Sequence, residues 1–229
     1  MPSLTEDFVF LLDIDNTLLD NDRVRDDIRE HLEHEFGTTC RDRYCEIEER
    51  LFVEGGYRDY LGAVQLYWQQ YPEDTRFLDV SAYLLDYPFA ERLYPEALEA
   101  IGRLQSFGST VVLTDGDAVF QPRKIDRSGI HAAVGGNVLV YVHKEKELDD
   151  VERRFPAGHY VVVDDKPRIL AAVKQTWGNR VTTVLPRQGQ FANAPDAAAT
   201  RPAPDLTMAG IGELLDIDWE SLSDAGGGT

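Results

Sequence analysis

Four short apolar runs, each stopping abruptly at polar side chains, constrain this chain more than any other feature. Residues 8–12 run into Asp13-Ile14-Asp15-Asn16-Thr17, and residues 111–113 into Thr114-Asp115-Gly116-Asp117. Residues 160–163 run into Asp164-Asp165-Lys166, and residues 138–142 into His143-Lys144-Glu145-Lys146. Short Val/Leu/Ile/Phe runs separated by helical stretches read as buried parallel strands. Ligands of an open α/β sheet bind outside the carboxyl ends of its strands. Lined up there, the four endings put several carboxylates, a hydroxyl and an ammonium around one crevice. Carboxylates that close repel unless a cation sits among them, and a divalent metal meets that need.

The β/α alternation has one interruption. The first strand covers residues 8–14, but from about 21 to 88 only helices are expected. Asp22 is placed to cap a helix through Val24, Ile28, Leu32 and Phe36, closed by Gly37. A second helix is expected over 41–53, stopped by Gly55-Gly56, and a third over 58–70, ending before Pro72. This block reads as an inserted helical cap domain. The expected domains are therefore a core of residues 1–20 and 89–220, a cap of 21–88 and a flexible tail of 221–229. After Pro95 the alternation resumes, with helices at 96–107, 117–127, 145–155 and 167–177. The intervening strands fall at 110–114, 138–142, 160–164 and 181–185. Residues 187–204, rich in Ala and Pro, read as a loop, and a short strand at 206–208 and helix at 211–215 close the domain. No internal repeat is evident.

Charge excludes whole classes of partner. The net charge is −18, and only five of the 23 basic residues are lysines. Such a surface repels nucleic acid and anionic membrane. No apolar stretch approaches the roughly 20 residues a bilayer requires. The segment Met1-Pro2-Ser3-Leu4-Thr5-Glu6-Asp7 has neither a basic start nor a signal-like apolar core. A soluble, cytoplasmic protein is expected, with its oligomeric state open. The two cysteines, Cys40 and Cys45, are five residues apart on a helix and point to different faces, so reduced thiols are expected.

Asp13-x-Asp15-x-Thr17, Thr114, Lys144 and Asp164-Asp165, in this order and each at a strand end, resemble the four motifs of the haloacid dehalogenase (HAD) superfamily. The resemblance covers about residues 6–20 and 95–185, and the helical insertion sits where that family carries its cap. It implies an α/β fold: a Rossmann-like three-layer core with a mostly parallel sheet, plus an inserted all-α cap domain. It also implies an Mg2+-dependent phosphatase acting on a small phosphorylated metabolite. Asp13 is then the nucleophile that forms an aspartyl-phosphate. Asp15 protonates the leaving oxygen and later activates water. Mg2+ is held by the Asp13 carboxylate, the Asp15 main-chain carbonyl, and Asp164 or Asp165. Thr114 and Lys144 bind phosphate oxygens.

Other readings compete for the same residues. Asp13 and Asp15 could cap a turn, and Asp165 could cap the helix that follows it. Lys146 could replace Lys144, and Lys166 is expected to pair with a neighbouring carboxylate. Asp115 stands where the family commonly has Asn, and the acids of the last motif are adjacent rather than spaced apart. A phosphomutase differs only in the acceptor of the phosphoryl group. A metal-independent dehalogenase would typically lack the acid at Asp15, and a non-catalytic partner-binding relative would not need the set intact. His31 and His34 lie one helical turn apart near Glu33 without an evident third ligand. Ser106, Ser109 and Ser128 lack a nucleophile-elbow setting, and no Walker A sequence is present. Tyr57, Tyr60, Tyr67, Trp68 and Tyr71 read mostly as cap core. Arg58, just after Gly55-Gly56, is the cap residue expected to reach substrate.

Overall fold

The apolar runs form the strands of one sheet in the structure, a computed structural model that describes residues 6–219. They are β1 (Glu6–Leu12), β2 (Ser109–Asp115), β3 (Val138–Tyr141), β4 (Ala157–Val163), β5 (Val181–Pro186) and β6 (Leu206–Met208). The order is β3-β2-β1-β4-β5-β6, and every neighbouring pair is parallel. β1 is therefore central, with Leu12 in register with Val112 on one side and Val163 on the other. The chain winds to one side of β1 through β2 and β3 and to the other through β4, β5 and β6. That reversal opens a crevice beside the end of β1.

Both faces of the sheet are covered, which is why the strands read as continuous apolar runs rather than alternating ones. Phe8, Phe10, Leu12, Val161 and Val163 enter one hydrophobic cluster with Val24, Ile28, Ala97 and Ile101. Their neighbours Val9, Leu11, Tyr160 and Val162 enter the opposite cluster with Val151, Ile169, Leu170 and Val173. The period of two thus sorts adjacent residues into two separate cores.

The helices in chain order are α1 (Asn21–Phe36), α2 (Thr38–Gly55), α3 (Tyr60–Gln70), α4 (Val80–Asp86) and α5 (Ala97–Leu104). There follow α6 (Phe120–Arg127), α7 (Ile130–Ala133), α8 (Leu148–Arg154), α9 (Pro167–Trp177) and α10 (Gly189–Ala192). The first four form a helical insertion between β1 and β2. The two chain segments that enter and leave it are paired. Leu19 and Leu93 form an antiparallel bridge, Asp20 N donates to Arg92 O at 2.8 Å, and Tyr94 N donates to Leu18 O at 3.0 Å. Asp27 of α1 ties the same junction together, accepting from Arg92 Nε at 2.7 Å and from the Tyr87 hydroxyl, and pairing with Arg23 at 2.8 Å.

Several local expectations change. Asp20, not Asp22, caps α1, accepting from Arg23 N at 2.9 Å. Asp22 instead receives Asn16 Nδ2 at 3.2 Å and Gln190 N at 2.8 Å. Helix α4 lies within the expected helical stretch but had no bounds of its own, α3 begins at Tyr60 rather than at 58, and α6 begins at Phe120 rather than at 117. The expected helix at 145–155 is a 3-10 turn over Lys144–Lys146 followed by α8. The expected loop at 187–204 contains α10 and a further 3-10 turn. The expected flexible tail, 221–229, lies outside the described residues. No helix of the described residues is long and apolar enough to cross a membrane.

Candidate active site

The turn after β1 is built by hydrogen bonds that bend the chain back on itself. Leu18 N and Leu19 N both donate to Ile14 O, at 2.9 and 3.0 Å, and Asn16 N donates to Leu19 O at 2.7 Å. Asn16 takes a positive φ of 61°, a conformation Asn tolerates better than most residues. Gly189 packs directly on this turn. Its φ is 64°, and a Cβ there would lie 2.4 Å from the Asn16 side chain. Gln188 Nε2 donates to Thr17 O at 2.8 Å, so the segment after β5 clamps the same turn from outside.

This turn brings Asp13 to the β4 end. Asp13 N donates to Val163 O at 3.0 Å, continuing the ladder one residue past the strand. Thr17 Oγ1 lies 3.4 Å from Asp13 Oδ2 and accepts from Asp165 N at 3.1 Å. Asp13, Asp164 and Asp165 are all buried, and one carboxylate oxygen from each lies within 4.8 Å of the others. Lys144 Nζ enters from the β3 side, 2.5 Å from Asp13 Oδ1 and 2.7 Å from Asp164 Oδ2. The latter is an ion pair without an aligned hydrogen bond.

The charges do not balance locally. Burial works to raise the Asp13 carboxyl, but Lys144 and Lys166 outweigh it and hold it below its ordinary value, ionised. Burial works to lower the Lys144 ammonium, and Asp13 and Asp164 outweigh that in turn. Asp164 is pushed up to about 6, by burial and by Asp13 against the pull of Lys144. Asp165 is pushed well up by burial and by Asp164, with Lys166 opposing. Both Asp165 carboxylate oxygens are buried without a hydrogen-bond partner among the described residues. Buried carboxylate oxygens are rarely left so. Three converging hard oxygen donors, with Lys144 the ion-pair partner of only two of them, suit a small divalent cation.

The cap role considered for Asp165 is not realised, because α9 begins later, with Pro167 in its first turn, and Asp164 Oδ1 accepts the Lys166 amide at 2.8 Å. Lys166 lies 3.8 Å from Asp115 Oδ2, the carboxylate pairing expected of it. Asp115 Oδ1 accepts Lys144 N at 2.8 Å and so fixes the loop that delivers that lysine. Lys146 is exposed, which leaves Lys144 as the lysine of this strand end. Thr114 is buried and accepts Gln121 Nε2 at 3.0 Å. Gly116 makes room for that contact, since a Cβ there would meet Gln121 at 2.7 Å.

The most consequential residue the sequence reading passed over is Lys124. It lies on α6 and its Nζ is 2.5 Å from Asp15 Oδ1. Three of the five lysines of this acidic chain, Lys124, Lys144 and Lys166, thus converge on the strand ends. Arg58 departs from expectation. Its guanidinium is held by Glu48 at 2.8 Å and Glu49 at 2.7 Å and lies over the Phe52 ring, so it is engaged within the insertion. His31 stacks on Tyr83 at 3.6 Å between centroids, while His34 is exposed beside Glu35, so the pair forms no metal site. Tyr60 and Tyr67 are buried in the core as expected, whereas Trp68 is exposed. Cys40 and Cys45 are free thiols.

A parallel sheet whose switch point gathers these acids and lysines is the arrangement that the resemblance to the haloacid dehalogenase superfamily implies. Comparison with known proteins bears this out. The haloacid dehalogenase-like hydrolase family matches residues 9–185. A haloacid dehalogenase-like hydrolase from Burkholderia xenovorans LB400 is 54% identical, covering 95% of this chain and 99% of its own, with a TM-score of 0.91. At 13% identity the L-2-haloacid dehalogenase of Xanthobacter autotrophicus, solved with chloropropionic acid covalently bound, shares the fold. Its TM-score is 0.59, over 93% of this chain and 98% of its own. The HAD hydrolase YfnB of Bacillus subtilis, solved bound to magnesium, is 17% identical with a TM-score of 0.60, over 93% of this chain and 100% of its own. No curated protein matches. The chain belongs to the haloacid dehalogenase-like hydrolases, and it is an enzyme of that family.

Proposed function

We propose that this hydrolase is an Mg2+-dependent phosphatase of a small phosphorylated metabolite, with the helical insertion of residues 21–88 as its cap. The observation that carries the reading is the pair of buried, unpartnered Asp165 oxygens beside Asp13 and Asp164. A dehalogenase expels halide, which needs neither a metal nor a proton, so neither a cluster of carboxylates converging on a cation nor the second acid Asp15 is required for that step. Asp13, Asp164, Asp165 and the Asp15 carbonyl would hold Mg2+, which would supply the positive charge that lets an anionic ester approach a carboxylate.

The chain's own residues do the rest. Asp13, kept ionised by Lys144 and Lys166, is the nucleophile toward phosphorus. Lys144 keeps its charge and offsets that of the phosphoryl oxygens. Thr114 presents its hydroxyl at the neighbouring strand end, oriented by Gln121. Asp15, the more exposed acid, gives a proton to the leaving oxygen and later takes one from water. The same geometry serves a phosphomutase if a sugar hydroxyl replaces that water.

A panel of phosphorylated metabolites, assayed with Mg2+ and with EDTA, tests the reading. Phosphate release that needs Mg2+ and disappears in a folded Asp13→Asn variant is expected, because an amide is a poor nucleophile and a weak metal ligand. Chloride release from 2-chloropropionate in EDTA, with no phosphomonoester cleaved, would make the protein a dehalogenase instead.

A further inference from the structure

Asp15 stands apart from the other acids of the site. Its side chain is 22% exposed, while Asp13, Asp164 and Asp165 are buried, and a different lysine holds it. Lys124 Nζ donates to Asp15 Oδ1 at 2.5 Å and to Asn21 Oδ1 at 3.0 Å. Lys124 is 1% exposed and lies 5.5 Å from the centroid of the Phe120 ring on its own helix. Asn21 is the first residue of α1, and its Nδ2 reaches the hydroxyl of buried Tyr60 on α3 at 3.4 Å. Burying an ammonium is costly unless it is paired and hydrogen-bonded. Here one is buried behind the single acid of the site that faces solvent.

We propose that Lys124 is a positioning residue for phosphoryl transfer: it grips Asp15 by Oδ1 and thereby presents Oδ2, which has no hydrogen-bond partner among the described residues, as the oxygen that carries the proton. The inference rests on the phosphatase reading. In the first half-reaction an Asp13 oxygen bonds to phosphorus while the bond from phosphorus to the leaving oxygen breaks. The proton on Asp15 Oδ2 passes to that oxygen, and the alcohol departs. In the second, water bonds to phosphorus through its oxygen and gives one proton to Asp15 Oδ2, while the bond between phosphorus and Asp13 breaks. Phosphate leaves, and Asp15 is again protonated. Lys124 keeps its three protons throughout. It is too buried to meet substrate, so its influence passes through Asp15. Asn21 adds a second grip from the start of the helical insertion, so the aim of the acid is set jointly by α6 and α1.

The test is a double-mutant cycle of Lys124→Met and Asp15→Asn, read as kcat/KM on phenyl phosphate and p-nitrophenyl phosphate. That constant reports the steps through departure of the leaving group, and nitrophenolate departs without needing a proton. Lys124→Met should lower kcat/KM for phenyl phosphate by about 10²-fold, the scale on which an ångström of misplacement acts, and that for p-nitrophenyl phosphate much less. In the Asp15→Asn background it should cost nothing further. Equal losses on both esters, or a full loss in the Asp15→Asn background, would overturn the proposal and leave Lys124 a structural ion pair. Should Lys124→Met fail to fold, Asn21→Ala keeps the charge, loosens its hold, and must show the same ester selectivity at smaller size. A wild type that cleaves neither these esters nor any phosphomonoester of the panel overturns the phosphatase reading and this inference with it. An active wild type with an additive cycle overturns this inference alone.

Discussion

Asp165→Asn should stabilise the protein in EDTA and remove its response to Mg2+. Oxygens of Asp13, Asp164 and Asp165 lie within 4.8 Å of one another. At an effective dielectric constant of 20, each ionised pair at that spacing costs about 3 kcal/mol. Lys144 offsets the cost for Asp13 and Asp164, at 2.5 and 2.7 Å, but no described residue hydrogen-bonds to the Asp165 carboxylate. Proton uptake limits what remains, so the amide should gain about 1–3 kcal/mol, the scale of one buried unsatisfied group. In a domain of this size that raises Tm by about 2–4 °C per kcal/mol. Mg2+ at about 100 times its Kd should stabilise the wild type by about 2.7 kcal/mol and the variant by much less. The pH dependence in EDTA has a fixed sign. Asp164, pushed up to about 6 by burial and Asp13, and Asp165, pushed up further, bind protons in the folded protein that the unfolded chain does not. Their contribution therefore favours folding as pH falls from 7 toward 5, and Asp165→Asn should blunt that rise. Calorimetric melts in EDTA and in Mg2+, across this range, check all three. A variant less stable than wild type in EDTA, or one that gains as much from Mg2+, would refute the reasoning.

Two further outcomes are expected. Lys144→Ala should abolish turnover while Lys146→Ala stays near wild type in steady-state assays, because only Lys144 touches Asp13 and Asp164. Asp27→Asn should lower stability near neutral pH by about 1.5–3 kcal/mol, the worth of hydrogen bonds to a charged group. Burial works to raise the Asp27 carboxyl, but the Tyr87 hydroxyl and Arg92 hold it below its ordinary 3.8. Its contribution is therefore complete above about pH 4 and lost as pH falls through the lowered value. Melts of the two proteins should converge in acid and separate at neutrality.

The strand ends were legible because a parallel strand buried on both faces must be apolar until it stops, so the first polar residues mark the site. Asp13, Thr114, Lys144 and the Asp164-Asp165 pair all follow that rule, and the sheet order brings them together. Lys124 does not follow it. It sits in the polar-looking segment Phe120–Arg127, and its partner Asp15 is 109 residues away in sequence, so only tertiary packing reveals that its ammonium points inward. Arg58 failed for the converse reason. Proximity to a glycine turn suggested reach, but Glu48 and Glu49, ten and nine residues earlier, satisfy its charge first. The bounds of helix α4 escaped notice because seven residues carry too few turns for a 3.6-residue period to stand out. The role of Gln188 and Gly189 was hidden in an Ala- and Pro-rich stretch, since clamping a turn leaves no periodic signal.

The paired segments at residues 18–20 and 92–94 bear on how such a protein comes to have the insertion at all. Because the two crossings leave the sheet side by side, hydrogen-bonded to each other, the helices between them hang from the core as from a closed loop. Lengthening or replacing what lies beyond a closed neck changes loop-closure entropy only slowly. It leaves strand order and register alone, and it leaves the turn that carries Asp13 alone so long as Asp22, which is bonded to Asn16, is kept. The neck is thus a point of tolerance for what lies beyond the first turn of α1, whereas Asn21 and Asp22 at its start belong with the site they brace.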